Sequence, residues 1–197
     1  RRVLFRSISV DQRGNVYFGE ENGRVRKIDQ NTGIISTFTG GGDSIGSDIP
    51  ATSKFLFRPT STALEPNGDV VILDGAVIWR VTIRDGIIHY VAGGTSGFGG
   101  DGGPANSAHF RRPAYVTSAP NGDILIADTS NFRVRRMRAG RIDTVAGTDF
   151  SPNLSPANSA ILNFPAGAVS DGAGGFAIAD GGNGLVRAIS SSGTITN

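Results

Sequence analysis

The 197-residue chain contains no cysteine, one tryptophan, one methionine and two histidines. Without cysteine, neither a disulfide framework nor a thiolate metal site nor a thiol nucleophile can form. Because the two histidines, His89 and His109, lie in different predicted loops and strands, we expect no bound transition metal. No apolar run approaches the roughly 18 residues that cross a bilayer, so we expect no membrane insertion.

The excess of positive charge is small and lies mainly at the N-terminus. The formal net charge is +2 and the isoelectric point is about 9.4, which alone would suggest a nucleic-acid partner. Three arginines, however, belong to the opening heptapeptide RRVLFRS, residues 1–7. This heptapeptide matches the translation of a short-read sequencing adapter, so we interpret residues 1–7 as adapter-derived and expect a metagenomic fragment. Without those arginines the net charge is −1, and a nucleic-acid partner is not expected.

Glycine, in contrast, is abundant, with 29 residues, and it recurs at the predicted turns of an internal repeat. The segments PNGDVVILD (66–74) and PNGDILIAD (120–128) start 54 positions apart. Related segments at 13–20 and 173–180 continue this spacing on either side. A period of about 50 residues is typical of β-propellers and other repeat folds.

A second motif keeps the same period. It occurs as IPATSKFLFRP (49–59), GPANSAHFRRP (103–113) and SPANSAILNFP (155–165), and the letters PANSA appear twice. We expect the 98–113 segment to fold as a wedge that begins a short helical turn at Pro104 and buries Phe110. The repeat therefore includes the connections between units as well as the strands.

Each repeat is predicted to contain four short antiparallel strands. In the third repeat they span residues 114–118, 123–128, 133–138 and 141–146. The central runs VVIL, ILIA and FAIA are apolar on both sides of the pleat, which is typical of strands covered on both faces. Four such strands per period indicate a propeller blade, whereas a β-sandwich would not explain the period.

The predicted fold class is therefore all-β, a β-propeller of four-stranded antiparallel blades with four blades present. The propeller occupies residues 8–197, with blades at about 8–40, 60–94, 114–148 and 166–197. We expect the outer faces of the first and last blades to be uncovered, and to expose apolar side chains. The residues expected there are Val16, Phe18, Ile178 and Val186.

The third repeat resembles the NHL-repeat family. The matching residues are Pro113, Gly122, Asp123, Ile124, Ala127, Asp128, Asn131, 133–137 and 144–147. The loop GFGGDGGPA (97–105) is similar to a segment of bacterial NHL proteins and of teneurins. The resemblance implies a ring that usually has six blades, so that this chain would be a fragment of one, and it leaves function open.

Three positions depart from the pattern of the other repeats. Trp79 stands in the second repeat where the others have arginine, and Glu20 stands in the first where the others have aspartate. Phe5, inside the suspected adapter segment, stands where the others have proline.

Candidate ligand-binding residues lie on the loops that propellers gather at one end of each blade. They are Phe98, Asp101, Asp128, Asn131, Arg133, Asp180 and Asn183. For the Asp and Asn residues we favour a structural role, with each aspartate capping its own turn, because they recur from blade to blade. Asp101 is expected to close the glycine-rich turn, and Phe98 to remain exposed as a contact residue.

The function expected from these residues is that of a non-catalytic recognition scaffold in a larger bacterial protein, extracellular or periplasmic. Its ligand would be a protein or a carbohydrate, and no cofactor is expected. The alternatives are a lactonase-type or lyase-type propeller enzyme whose catalytic residues lie in other blades, and an RNA-binding propeller. The resemblance implies metal ligands for the enzymes, which two separated histidines do not supply. For the RNA alternative, an arginine stripe that includes Arg133 is better explained by ion pairs within the sheets.

Overall fold

A computed structural model of the chain describes residues 5–148 and 157–197, with the side chains of residues 5 and 6 excepted. The described residues form two compact units, one ending at Val91 and the other starting at Ala92. Each unit contains two four-stranded antiparallel blades. The predicted all-β propeller class, with four blades, is confirmed.

The first unit contains blades 1 and 2. Blade 1 consists of β1 (Phe5–Val10), β2 (Val16–Glu20), β3 (Arg24–Ile28) and β4 (Ile35–Gly40). Blade 2 consists of β5 (Ile49–Pro50), β6 (Pro59–Leu64), β7 (Val70–Asp74), β8 (Val77–Thr82) and β9 (Ile87–Gly93). Each blade is a simple meander, except that β5 pairs with β9 as a fifth strand at the blade's outer edge.

The second unit contains blades 3 and 4. Blade 3 consists of β10 (Gly103–Pro104), β11 (Tyr115–Ser118), β12 (Ile124–Asp128), β13 (Arg133–Arg138) and β14 (Arg141–Ala146). Blade 4 consists of β15 (Pro165–Ser170), β16 (Phe176–Asp180), β17 (Leu185–Ile189) and β18 (Ile195–Thr196). The four strands predicted for the third repeat are all present, and the first two begin one residue later than predicted.

The apolar runs become the buried centres of the blades. All five residues of β7 and all five of β12 are buried. In the first unit the core includes Tyr17 of blade 1 and Ile72 of blade 2; in the second it includes Leu125 of blade 3 and Ile178 of blade 4. Strands that pack on both faces bury every side chain, which explains why these runs do not alternate.

The motif between blades folds as expected from its proline and alanine residues. Short 3₁₀ turns span Ala51–Ser53, Ala105–Ser107 and Ala157–Ser159, and the first alanine of each is buried. Leu56, Phe110 and Leu162 are almost fully buried, as predicted for Phe110. The fifth strands β5 and β10, which are two residues long, were not foreseen because so short a segment has no periodicity of its own.

Phe5 in β1 pairs with Glu20, as Pro59 pairs with Asp74 and Pro165 with Asp180. Residues 1–4 of the suspected adapter segment lie outside the described part of the chain. In that described part, no helix is long and apolar enough to cross a membrane.

Candidate functional site

The loop end of blade 3 is defined by the register of its strands. Asp128, the last residue of β12, pairs with Arg133, the first of β13, and Val134 pairs with Ala146 at the end of β14. The antiparallel order therefore brings the turn 129–132, the connection 94–114 and the residues after β14 to the same end. Most of the candidate residues predicted for blade 3 belong to this end.

Asp128 holds the connection that leads into its blade. Its Oδ1 accepts a hydrogen bond from the backbone N–H of Arg111, 17 residues earlier, at 2.9 Å. Its Oδ2 accepts one from Nδ2 of Asn131 at 2.8 Å. The expectation that this aspartate caps the N–H groups of its own turn is wrong, because no such backbone bond forms in the turn that follows it.

Blade 4 repeats this arrangement, with Asp180 in place of Asp128. Asp180 accepts hydrogen bonds from the N–H of Asn163 at 2.7 Å and from Nδ2 of Asn183 at 2.9 Å. Asp128 and Asp180 have no exposed surface, whereas Asn183 is exposed. Burial raises the pKa of Asp128 although its hydrogen bonds and neighbouring arginines oppose the shift. These carboxylates thus act inside the protein, on the connections between blades.

Arg135 anchors the glycine-rich loop, a role that the sequence analysis did not assign. Its fully buried guanidinium donates to the carbonyl oxygens of Gly99 at 2.9 Å and His109 at 3.0 Å. It also donates to Oδ1 of Asp101 at 3.0 and 2.6 Å, from Nε and Nη2. Asp101 accepts a further bond from Thr144 Oγ1 at 2.6 Å. Asp101 therefore fastens the glycine-rich loop to blade 3 through side chains, while the Gly103 N–H donates a backbone hydrogen bond to the carbonyl oxygen of Gly100 across the turn.

Phe98 lies at the surface of the same loop, with 44% of its area exposed. The guanidinium of Arg133 covers one face of the ring, with its central carbon 3.9 Å from the ring centroid. Nη1 of Arg133 donates to the carbonyl oxygen of Asn131 at 2.9 Å. This contact holds the cation in place, so the orientation of the aromatic ring is fixed from beneath.

Phe98, Asp101 and Arg133 line an open groove of about 300 Å³, here called the blade 3 groove. The rest of its lining is Asp143, Thr144, Gly147, Thr148 and Asn158. Three of the seven predicted residues therefore meet in one concave site. Asp128 and Asn131 lie beneath the surface, and Asp180 and Asn183 belong to blade 4.

Among residues 5–148 and 157–197, no group of three or more histidine, aspartate or glutamate side chains could hold a metal ion. His89, in β9 of blade 2, makes a hydrogen bond with Asp48, with 2.6 Å between Nδ1 and Oδ1. His109 contributes its backbone carbonyl to Arg135. Both histidines thus have other contacts.

Comparison with known proteins agrees with this architecture. Residues 110–137, which include β11, β12 and most of β13, match the NHL repeat family. The chain is 28% identical to human teneurin-4 and 27% identical to mouse teneurin-4 over 224 aligned positions. In both cases the alignment covers 93% of this chain and 8% of the teneurin.

Two solved propellers show the same fold at low identity. An auxiliary nutrient binding protein from Bacteroides thetaiotaomicron superposes with a TM-score of 0.69 at 18% identity, covering 92% of this chain and 46% of that one. The virginiamycin B lyase from Staphylococcus aureus superposes with a TM-score of 0.59 at 18% identity, covering 96% and 53%. The chain thus spans about half the length of these structures. The NHL repeat matched at residues 110–137, the teneurin likeness and the four antiparallel blades make the chain similar to NHL-repeat β-propellers.

Proposed function

We propose that the protein is a non-catalytic binding module and that the blade 3 groove holds its ligand, a carbohydrate or a protein segment. The observation that carries this proposal is the exposed ring of Phe98, held against the Arg133 guanidinium at 3.9 Å. An aromatic ring that is exposed and rigidly supported is a common contact residue in binding sites. Phe110 of the same loop, by contrast, packs inward.

The polar lining of the blade 3 groove favours a carbohydrate over an apolar ligand. Asp143, Thr144 and Asn158 provide hydrogen-bond donors and acceptors around the phenylalanine ring. A sugar ring presents a C–H face that packs on an aromatic ring and hydroxyl groups that bond to such side chains. One propeller of similar fold is an auxiliary nutrient binding protein, and this supports binding as the function.

The Asp101 carboxylate of the groove also favours binding over catalysis. Asp101 is held by Arg135 on one oxygen and by Thr144 on the other. A general base needs a carboxylate free to accept a substrate proton, and Asp101 already accepts hydrogen bonds on both oxygens. A lyase shares the fold, so the competing proposal is a propeller enzyme of lyase or lactonase type.

The test is a glycan array followed by calorimetric titration of the best ligand with the full chain. Phe98→Ala should weaken binding at least about tenfold, since it removes the aromatic contact. Phe55→Ala, which truncates a similarly exposed phenylalanine in the first unit, should leave affinity unchanged. If the Phe98→Ala variant bound the ligand with wild-type affinity, the binding site would lie elsewhere. Turnover of the bound glycan would establish an enzyme instead.

A further inference from the structure

Phe132 has a backbone conformation that phenylalanine rarely adopts. It directly precedes β13 and has a φ of 55°, in the left-handed region. The residues that directly precede β3 and β17 are glycines, Gly23 with φ 80° and Gly184 with φ 65°. Glycine enters this region without steric cost, whereas phenylalanine is strained there. Blade 3 therefore has a strained aromatic residue at the position where blades 1 and 4 have glycine.

The ring of Phe132 is only partly buried. A Cβ added to Gly184, the corresponding residue of blade 4, would meet no atom within 4 Å. A Cβ added to Gly23, the corresponding residue of blade 1, would instead lie 2.4 Å from the carbonyl oxygen of Leu56, so it is the partial exposure of Phe132 itself that places its ring at the surface. Strain kept for a side chain at the surface indicates a functional role.

A second strained phenylalanine lies beside the first. Phe164 has a φ of 47° and is 52% exposed, just before β15. The two ring centroids are 5.4 Å apart in an edge-to-face arrangement, with an interplanar angle of 72°. Thr129 Oγ1 donates a hydrogen bond to the carbonyl oxygen of Pro165 at 2.7 Å, which ties the two loops together. We call Phe132 and Phe164 the aromatic platform.

The surface beside the aromatic platform is positively charged. The carbonyl oxygen of Arg111 accepts a hydrogen bond from the N–H of Ser130, so Arg111 and Arg112 adjoin the turn that carries Phe132. Both arginines are exposed, and neither has an acidic partner among the residues that the structure describes. The carboxylates of the adjoining turns, Asp128 and Asp180, are fully buried. An anionic ligand would therefore meet two free guanidinium groups here.

We propose that the aromatic platform, with Arg111 and Arg112, is a second binding surface that takes a uronate-bearing polysaccharide. The sugar ring would pack on the phenylalanines, and its carboxylate would pair with guanidinium in the bidentate geometry that arginine favours. Gly181 and Gly182, which follow β16, are exposed, and Gly181 lies beside the backbone of Phe164. A ligand that inserts between the blades would need a pocket, and a nucleic acid would need a longer row of cationic side chains along its phosphate backbone. A polysaccharide therefore fits this surface best.

Calorimetric titration of the full chain with polygalacturonate tests this surface, with neutral dextran and oligouridylate as comparison ligands. Phe132→Gly restores the residue found in blades 1 and 4, so its melting temperature should equal or exceed that of the wild type. Its affinity for polygalacturonate should nevertheless fall at least about tenfold. Arg111→Ser/Arg112→Ser should lower affinity similarly and weaken its dependence on salt.

Phe57→Ala serves as the matched control, because it removes a phenylalanine that is 73% exposed and belongs to neither proposed site, and it should leave polygalacturonate binding intact. Phe132, Arg111 and Arg112 lie outside the lining of the blade 3 groove, so that failure of one proposal does not decide the other. The proposal is overturned if wild-type protein does not bind polygalacturonate, if Phe132→Gly binds as tightly, or if oligouridylate binds better. A large loss of stability in Phe132→Gly would also overturn it, by giving the ring a structural role.

Discussion

Single buried charges decide how the connections of this protein are held. Asp128 in blade 3 and Asp180 in blade 4 each accept a backbone N–H from a residue 17 positions earlier. Asp74 does the same in blade 2 for the N–H groups of Phe57 and Arg58. A buried carboxylate is stable only when its oxygens are satisfied. The recurrence of this residue therefore reflects a recurring structural need.

Asp128→Ala should lower the free energy of unfolding by about 2–4 kcal/mol. The substitution removes acceptors for Arg111 and Asn131 and leaves Arg135, whose Nη1 is 3.7 Å from Oδ2, with less compensating charge. Urea denaturation measures the loss, with Asp143→Ala, which removes an exposed carboxylate of the same blade, as the control. A loss under about 0.5 kcal/mol for Asp128→Ala would contradict the structural role.

Tyr17 should make stability depend on pH at the alkaline end. Burial, with the neighbouring Asp11 carboxylate, raises the pKa of Tyr17 to about 12 from its ordinary 10.0. The folded state thus favours the neutral phenol, so this contribution is complete below pH 10 and is lost as the pH rises through 12.

The wild type should therefore lose up to about 3 kcal/mol more than Tyr17→Phe between pH 10 and 12. Guanidinium melts across this range measure the difference, and Tyr115→Phe is the control. Parallel pH profiles for wild type and Tyr17→Phe would show that the phenol is not perturbed as described.

At the scale of the blade, blade 2 holds its connecting loop with residues that differ from those of blade 3. Trp79 occupies the strand position of Arg135, and Lys54 occupies the connection position of Ala108. Nζ of Lys54 lies 3.7 Å from the Trp79 ring centroid. It also donates to the carbonyl oxygens of Ile45 at 2.6 Å and Gly46 at 2.8 Å. In blade 2 the cationic side chain is Lys54, which lies on the connection rather than on the strand, and it still holds the loop in place.

Lys54 and Trp79 should therefore be strongly coupled. Lys54→Ala and Trp79→Arg, which import the residues of blade 3, should each cost about 2–3 kcal/mol. The double variant should cost at least about 1 kcal/mol less than the sum of the two, because arginine on the strand replaces the lost lysine. Urea denaturation of the four proteins of the cycle gives the coupling. Additivity within about 0.5 kcal/mol would mean that the exchange is not a compensation.

At the scale of the whole molecule, one sheet face of blade 4 is left uncovered. Val186 is 71% exposed, whereas Val134, its counterpart in blade 3, is fully buried. The expectation of an exposed Val186 is thus confirmed, but the same expectation for Ile178 and Phe18 is wrong, since both are buried. Ile178 pairs with Arg187 and points to the other side of the pleat from Val186, into the core shared with blade 3.

The purified chain should therefore self-associate in a concentration-dependent manner through this face of blade 4. Each large aliphatic side chain left in water forgoes roughly 1.5–3 kcal/mol of burial, and exposed apolar faces favour association. Val186→Asp should reduce association in sedimentation velocity, while Ile34→Asp, at an exposed turn in blade 1, should not. A compact, monodisperse monomer that melts cooperatively would contradict this prediction.

The sequence alone determined the number of blades, the four main strands of each and the inward packing of Phe110. These features follow from local patterns, because a period of about 50 residues and continuous apolar runs such as 124–127 constrain strand and face directly. Tertiary structure alone decided the partners of Asp128 and Arg135, the move of the cation to Lys54 and the grouping of Phe98 with Arg133. Each of these contacts joins residues from different elements, and its geometry depends on how those elements pack. A hydrogen bond across 17 positions and a strained phenylalanine leave no periodic trace, so only the folded chain reveals them.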